Sequence, residues 1–194
     1  MKYISHYKSP MGSMLLSADS VGLTGLWFEE KKYFARCLDK DTEEKEVPVF
    51  EQAKAWLDLY FAGKEPDFQP PLHFIGTEFQ KEVWKILCTI PYGQTMTYGE
   101  IAKQLAAKKG IPRMSAQAVG GAVGHNEISI IVPCHRVVGT GGNLTGYAGG
   151  MDKKVYLLTL EQVDMTRMFI PKKGKGKVGL EADRLKQTLE SRGL

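Results

Sequence analysis

Thr97-Tyr98-Gly99-Glu100-Ile101-Ala102-Lys103-Gln104-Leu105-Ala106-Ala107, then Lys108-Lys109-Gly110-Ile111-Pro112, then Ser115-Ala116-Gln117-Ala118-Val119-Gly120-Gly121-Ala122-Val123-Gly124, is the stretch that decides the fold. Thr97 with Glu100 three residues on is a capping box, in which each side chain satisfies the other's backbone N–H. It opens a helix through about Ala107. The Gly/Pro-containing segment 108–112 breaks that helix, and Ser115 caps a second one, Ala116 to about Gly124. Two short helices joined by such a turn fit a helix-turn-helix. The second helix is unusual, because interior glycines cost roughly 1 kcal/mol each relative to alanine. Close approach of another surface offsets that cost, either a packed helix of the same protein or a partner such as a nucleic-acid backbone.

Outward from this pair, the next informative run is Ile130-Ile131-Val132-Pro133-Cys134-His135-Arg136-Val137-Val138-Gly139. Pro133 restricts Val132 to extended backbone, so Cys134 is expected where a buried extended segment stops and turns. His135 and Arg136 favour the thiolate, the reactive form of Cys134. A free cysteine after an apolar run also serves as a small core hydrophobe, and adjacency alone does not bring Cys134 and His135 together. Residues 139–150 follow with six glycines, and without a Gly-Lys-Ser/Thr sequence they form no P-loop. They read as a flexible wall carrying Tyr147. A last helix, from Asp152 to about Gln162, carries Glu161 near its end.

Towards the N-terminus the pattern changes to strands. Residues 3–8 and 13–18 flank the turn Ser9-Pro10-Met11-Gly12, and Val21 to Phe28 adds a third strand, giving a small antiparallel sheet. Residues 49–61 have helical spacing, with Phe50, Ala53, Trp56, Leu57, Tyr60 and Phe61 on the apolar side and Gly63 after them. Three of the nine prolines lie in 66–71, which reads as a linker. Thr77 with Gln80 opens a helix with Phe79, Val83, Trp84 and Leu87 on one face, ending before Pro91-Tyr92-Gly93. The expected class is α+β: an α/β N-terminal domain (1–72), a mainly α domain with the helix-turn-helix (73–163), and a basic tail (164–194) with a short amphipathic helix at 180–191.

Composition narrows the function classes. The 194 residues are 43% hydrophobic and 25% charged, values ordinary for a globular chain. No apolar run reaches membrane-span length and no signal-peptide core precedes the first strand, so a cytoplasmic location is expected. Cys37, Cys88 and Cys134 are widely spaced, with no CxxC pair, which argues against a disulfide framework or a structural zinc. Net charge is +4, unevenly spread. Residues 29–67 carry 7 Lys/Arg against 11 Asp/Glu, residues 81–147 carry 7 against 3, and residues 164–194 carry 8 against 4. A polyanion would prefer the Cys134 half.

Several motifs in order resemble the O6-alkylguanine-DNA alkyltransferases. They are Pro133-Cys134-His135-Arg136-Val137-Val138, Tyr98 opening the first short helix, Ala118-Val119-Gly120-Gly121-Ala122 in the second, Asn126 eight residues before the cysteine, Tyr147-Ala148-Gly149-Gly150, and Glu161. The resemblance is strong over about 77–163, weaker over 1–72, and absent from 164–194. It implies that Cys134 takes the alkyl group of O6-alkylguanine as S-alkylcysteine, once per molecule, leaving O4-alkylthymine open as a second substrate. It implies that His135, bridged to Cys134 by a water, is the base, that Glu161 orients it, and that Asn126 holds the loop. The target base would be flipped from double-stranded DNA by minor-groove binding. Tyr98 would donate to guanine N3. The carbonyls of Cys134 and Val137 would accept from the exocyclic amine. The Ala148 N–H would donate to O6, and Tyr147 would pack on the base. Ser115, Gln117, Gly120, Gly121, Arg136 and Thr140 would line the DNA side. The protein would act as a monomer without cofactor or metal. Gln117 departs from the arginine that many members place there to fill the vacated stack, so weaker binding is expected. Rival classes are a lesion-binding protein without transfer and a Cys-His acyl hydrolase, which would need an oxyanion hole.

Overall fold

The computed structural model describes residues 1–29, 41–171, 180–181 and 187. They divide into two compact units, Met1–Thr77 with Glu127–Val132, and Glu78–Asn126 with Pro133–Leu194. The chain therefore leaves the second unit after Asn126 and returns at Pro133. Cys37 and most of the basic tail lie outside the described residues.

The first unit is built on β1 (Lys2–Ser9), β2 (Gly12–Ala18), β3 (Leu23–Phe28) and β4 (Thr42–Glu44), in the order β3-β2-β1-β4. The three strands expected from the sequence pair antiparallel, and β4 adds a parallel edge beside β1, so the sheet is mixed. β4 is only Thr-Glu-Glu, too short and polar to stand out by alternation. α1 (Pro48–Phe61) packs on β1, β2 and β3 with Phe50, Ala53, Trp56, Leu57 and Tyr60 buried. Pro48 sits at the helix start, where its missing N–H costs nothing. The proline-rich linker is not loose. Leu23 N–H donates to the Pro71 carbonyl at 2.8 Å, and His73 N–H to the Leu23 carbonyl at 2.8 Å, so the segment lies along β3.

The segment Glu127–Val132 lies on the same strand. Leu26 N–H donates to the Glu127 carbonyl at 2.8 Å and Ser129 N–H to the Leu26 carbonyl at 3.0 Å. The apolar run beyond it does not extend as the sequence suggested. Ile130 takes φ 69, and Ile131 N–H reaches back to the Ser129 carbonyl at 2.8 Å, the i→i+2 bond of a γ-turn. A β-branched residue at positive φ is strained, by about 1–3 kcal/mol. Complete burial of Ile130, Ile131 and Val132 produces the same apolar signal as a strand, so periodicity could not reveal the turn.

The second unit holds α2 (Glu78–Leu87), α3 (Tyr98–Lys109) and α4 (Ala116–Gly124), packed on one another, and then α5 (Met151–Leu160). The Thr97 capping box is formed, and Gly110 closes α3 in the left-handed conformation at φ 64. Ser115 caps α4 by accepting from the Ala118 N–H at 3.3 Å. Trp84 Nε1 donates to the Ala122 carbonyl at 2.9 Å and ties α2 to α4. Two residue pairs the sequence did not mark, β5 (Met96–Thr97) and β6 (Val137–Val138), form a short parallel ladder beside the Cys134 turn. β7 (Phe169–Ile170) pairs antiparallel with β8 (Leu180–Glu181). The helix expected over 180–191 is thus a strand at its first two residues, and its remainder is outside the described residues apart from Gln187.

Candidate active site

Pro133 ends the γ-turn segment, and Cys134-His135-Arg136 then make one 3-10 turn leading into β6. All three side chains are buried, with His135 at 0% exposure and Cys134 at 4%. Asn126 Nδ2 donates to Cys134 Sγ at 3.1 Å. Asn126 therefore touches the sulfur, where the resemblance implied only a loop-holding role. An amide N–H aimed at sulfur favours its charged form.

On the other side of the turn, His135 Nε2 meets Glu161 Oε1 at 2.6 Å. Glu161 is already the acceptor for Arg136, whose Nε donates to Oε2 at 2.8 Å and Nη2 to Oε1 at 3.1 Å. A carboxylate in that bidentate grip only accepts, so Nε2 carries the histidine proton and Nδ1 is the nitrogen able to take another. Burial holds the His135 pKa below its ordinary value, against the opposing pull of Glu161, so the imidazole is neutral. Burial alone would raise Glu161, but hydrogen bonds and charge from His135 and then Arg136 bring it to about 2. Gly93 N–H adds a contact to Glu161 Oε2 at 3.2 Å, and Arg136 Nη1 donates to the Ile90 carbonyl at 2.6 Å.

Local sequence places each part. Gly93 sits at φ 75, and a Cβ there would lie 3.0 Å from the Glu161 carbonyl oxygen, so glycine is required on two counts. Glu161 caps the C-terminus of α5. Beyond it, Gln162 at φ 57 donates its N–H to the Thr159 carbonyl, and Val163 N–H returns to the Leu158 carbonyl at 3.0 Å. That is a Schellman closure with glutamine in the left-handed position. Val163 then packs on the core of Val138, Leu144, Val155, Leu158 and Met165.

Arg136 corrects one expectation. Assigned to the DNA side from the resemblance, it is 8% exposed, clamped on Glu161 and stacked over Tyr92, with its guanidinium carbon 5.7 Å from the ring centre. Lys154 was missed altogether. It is fully buried, and its Nζ donates to the Val137 carbonyl at 2.5 Å and the Thr145 carbonyl at 2.9 Å. Burial lowers its pKa to about 8, while the Cys134 sulfur pulls the other way. Tyr98 Oη also donates to the Thr145 carbonyl, at 3.3 Å, so Lys154 and Tyr98 hold the same point of the glycine loop. Burial raises the Tyr98 pKa. The Val137 carbonyl, implied as an acceptor for guanine, already accepts from Lys154. Tyr147 lies edge-on to His135 with ring centres 6.4 Å apart, and its hydroxyl is buried. Ala148 is exposed. The glycine loop has backbone bonds of its own, including Gly139 N–H to the Asn143 carbonyl at 2.7 Å.

The outer side of α4 bears on the two explanations for its glycines. Among the described residues, a Cβ at Gly121 or Gly124 would meet nothing within 4 Å, and one at Gly120 would make only ordinary contact with the Tyr98 ring, at 3.7 Å. Internal packing therefore does not require these glycines. Ser115, Gln117 and Gly121 are exposed beside them, and Thr140 is exposed on the 3-10 turn after Gly139.

The family model for the DNA-binding domain of 6-O-methylguanine DNA methyltransferase matches residues 78–163, and that for its ribonuclease-like domain matches residues 2–74. The chain belongs to this methyltransferase family. It is 47% identical over 159 residues to the methylated-DNA–protein-cysteine methyltransferase of Methanosarcina acetivorans, covering 82% of this chain and 97% of the relative. The protein of the same name from Haemophilus influenzae is 40% identical over 162 residues, covering 83% and 87%. The crystal structure of Mycobacterium tuberculosis OGT in complex with DNA is 42% identical with a TM-score of 0.71, covering 82% of this chain and 92% of that one. Cys134, His135, Glu161 and Asn126 are all buried, in two contacts, Asn126 on Cys134 and His135 on Glu161. Gln117, Ser115 and the α4 glycines belong to a separate exposed face. Lys154 and Gly93 carried no sequence signal of their own: one reads as half of a solvated Lys-Lys pair, the other as a plain turn residue.

Proposed function

We propose that the protein repairs alkylated double-stranded DNA by moving the alkyl group of O6-alkylguanine onto Cys134, once per molecule. The Asn126–Cys134 contact at 3.1 Å, set beside the buried His135–Glu161–Arg136 group, carries this reading. As a methylated-DNA–protein-cysteine methyltransferase it needs a thiolate, a proton acceptor and a way to stabilise the charge that results, and each is supplied by a named side chain.

The thiol proton passes to His135 Nδ1, through a bridging water as the resemblance implies. Glu161 stabilises the imidazolium from Nε2. The thiolate is stabilised by the Asn126 amide. It attacks the alkyl carbon in line, the S–C bond forms as the C–O6 bond breaks, and the electron pair goes to the guanine ring. Tyr98 then donates to the ring nitrogen that gains charge, exchanging its Thr145 carbonyl partner for the base. The thioether has no hydrolysable bond, so the sulfur is spent. The target base leaves the stack to reach the buried sulfur, and the exposed small-residue face of α4 suits close approach to the minor groove.

Titrating a limiting amount of protein against excess duplex containing O6-methylguanine tests the single turnover. The expected yield is one repaired base per active molecule and then no more. Continued repair would contradict the reading.

A further inference from the structure

Of the seven residues between Asn126 and Cys134, the six from Glu127 to Val132 belong to the first unit, and their attachment there is specific. Trp27 Nε1 donates to Glu127 Oε2 at 2.6 Å. The indole reaches that carboxylate by folding back over Gly25. A Cβ on Gly25 would fall 1.7 Å from its ring, so only glycine leaves the space. The backbone bonds of Leu26 to Glu127 and Ser129 flank the same point, and Val132 N–H closes onto the Ile128 carbonyl at 3.1 Å. Between them sits the strained γ-turn at Ile130. A strained turn persists only where its surroundings over-determine it.

We propose that Gly25, Trp27 and Glu127 form a latch that fixes the Ile130 turn and so sets the distance between Asn126 and the Cys134 sulfur. These are positioning residues: none touches Cys134. The latch rests on Cys134 being the reactive group of the proposed function, and it gives the N-terminal sheet a part in the chemistry. With the latch open, the turn relaxes towards ordinary backbone, the Asn126 amide loses its alignment on sulfur, and the thiolate loses that stabilisation. Misplacement of a reacting group by about 1 Å costs up to a hundredfold in rate.

The test compares the full chain with Trp27→Phe, Gly25→Ala, Glu127→Ala and Glu127→Gln. The first readout is the pH dependence of Cys134 alkylation by iodoacetamide, followed by peptide mass so that Cys37 and Cys88 are counted separately. The second is the rate of methyl transfer from duplex DNA, with the DNA Kd measured alongside. The latch predicts that Trp27→Phe, Gly25→Ala and Glu127→Ala move the Cys134 profile to higher pH and slow transfer roughly tenfold at unchanged Kd. Glu127→Gln keeps an oxygen for the indole N–H and stays near the parent protein. If melting temperatures fall while the Cys134 profile and transfer rate stay fixed, the latch is only structural and the proposal is overturned. A shifted iodoacetamide profile in proteins that transfer no methyl group at all would uphold the latch and defeat the functional reading instead.

Discussion

The Glu161 group and the outer face of α4 are opposite kinds of surface in the same unit. Around Glu161 every charge is answered inside the protein: His135, the Arg136 fork and the Gly93 N–H converge on one carboxylate. On α4, Gly121 and Gly124 face open space, and Gln117 is exposed. The first region is closed by contacts within the protein, the preorganisation that the proposed proton transfer would use. The second carries interior glycines for which no contact among the described residues offsets the cost, the kind of face that close approach of a proposed partner would use. One region is closed on itself and the other is open.

Breaking the finished region should have the largest effect. Glu161→Ala leaves Arg136 buried without its partner, and losing one side of such a pair costs about 3–5 kcal/mol. Urea unfolding should show that loss, and transfer should be nearly abolished. A midpoint near that of the parent protein would mean the group is not closed as described.

Acid loosens the same region. Glu161 titrates near 2 when folded, against an ordinary value of 4.5, so its stabilisation is complete above pH 4.5 and is lost as pH falls towards 2. His135 is depressed below 6.5, so the neutral base survives below that pH, and transfer should decline only at more acidic values. A rate profile falling above pH 6.5 would contradict this assignment. Lys154 acts at the opposite end. Its folded pKa of about 8 lies below the ordinary 10.5, so stability should rise between those values as the unfolded state keeps its proton longer. Lys154→Met should remove that rise in a series of urea midpoints.

The α4 face gives smaller effects of opposite sign. Gly121→Ala adds a methyl group to open space in a helix, so stability should increase by about 0.5–1 kcal/mol while DNA binding weakens. Tighter or equal binding would mean that the face is not pressed against DNA. Gln117→Arg should lower the DNA Kd by adding charge and reach at the helix start. Least of all, Gln162→Gly should add a fraction of a kcal/mol by relieving the left-handed cap, with no effect on transfer.

Much of this was legible in the residues. The Thr97 and Ser115 caps and the strand hairpin followed from local chemistry, and the motif resemblance pointed to His135 and Glu161, which the structure places 2.6 Å apart. The misses share a cause. Arg136 and Lys154 carry charge, which sequence reasoning sends to solvent unless a partner is visible, and their partners are a residue 25 positions away and two backbone carbonyls. The Ile130 turn was hidden because burial and extension give the same apolar run. The position of Glu127 beside Trp27, 100 residues apart, has no local signal at all.

Intact mass after mixing with O6-methylguanine duplex shows whether Cys134 itself takes the alkyl group. The parent protein should gain a single methylene, mapped to the Cys134 peptide, and Cys134→Ala, which should still bind the duplex, should gain none. An unchanged mass with binding retained, or a gain that persists in Cys134→Ala, would contradict transfer to Cys134.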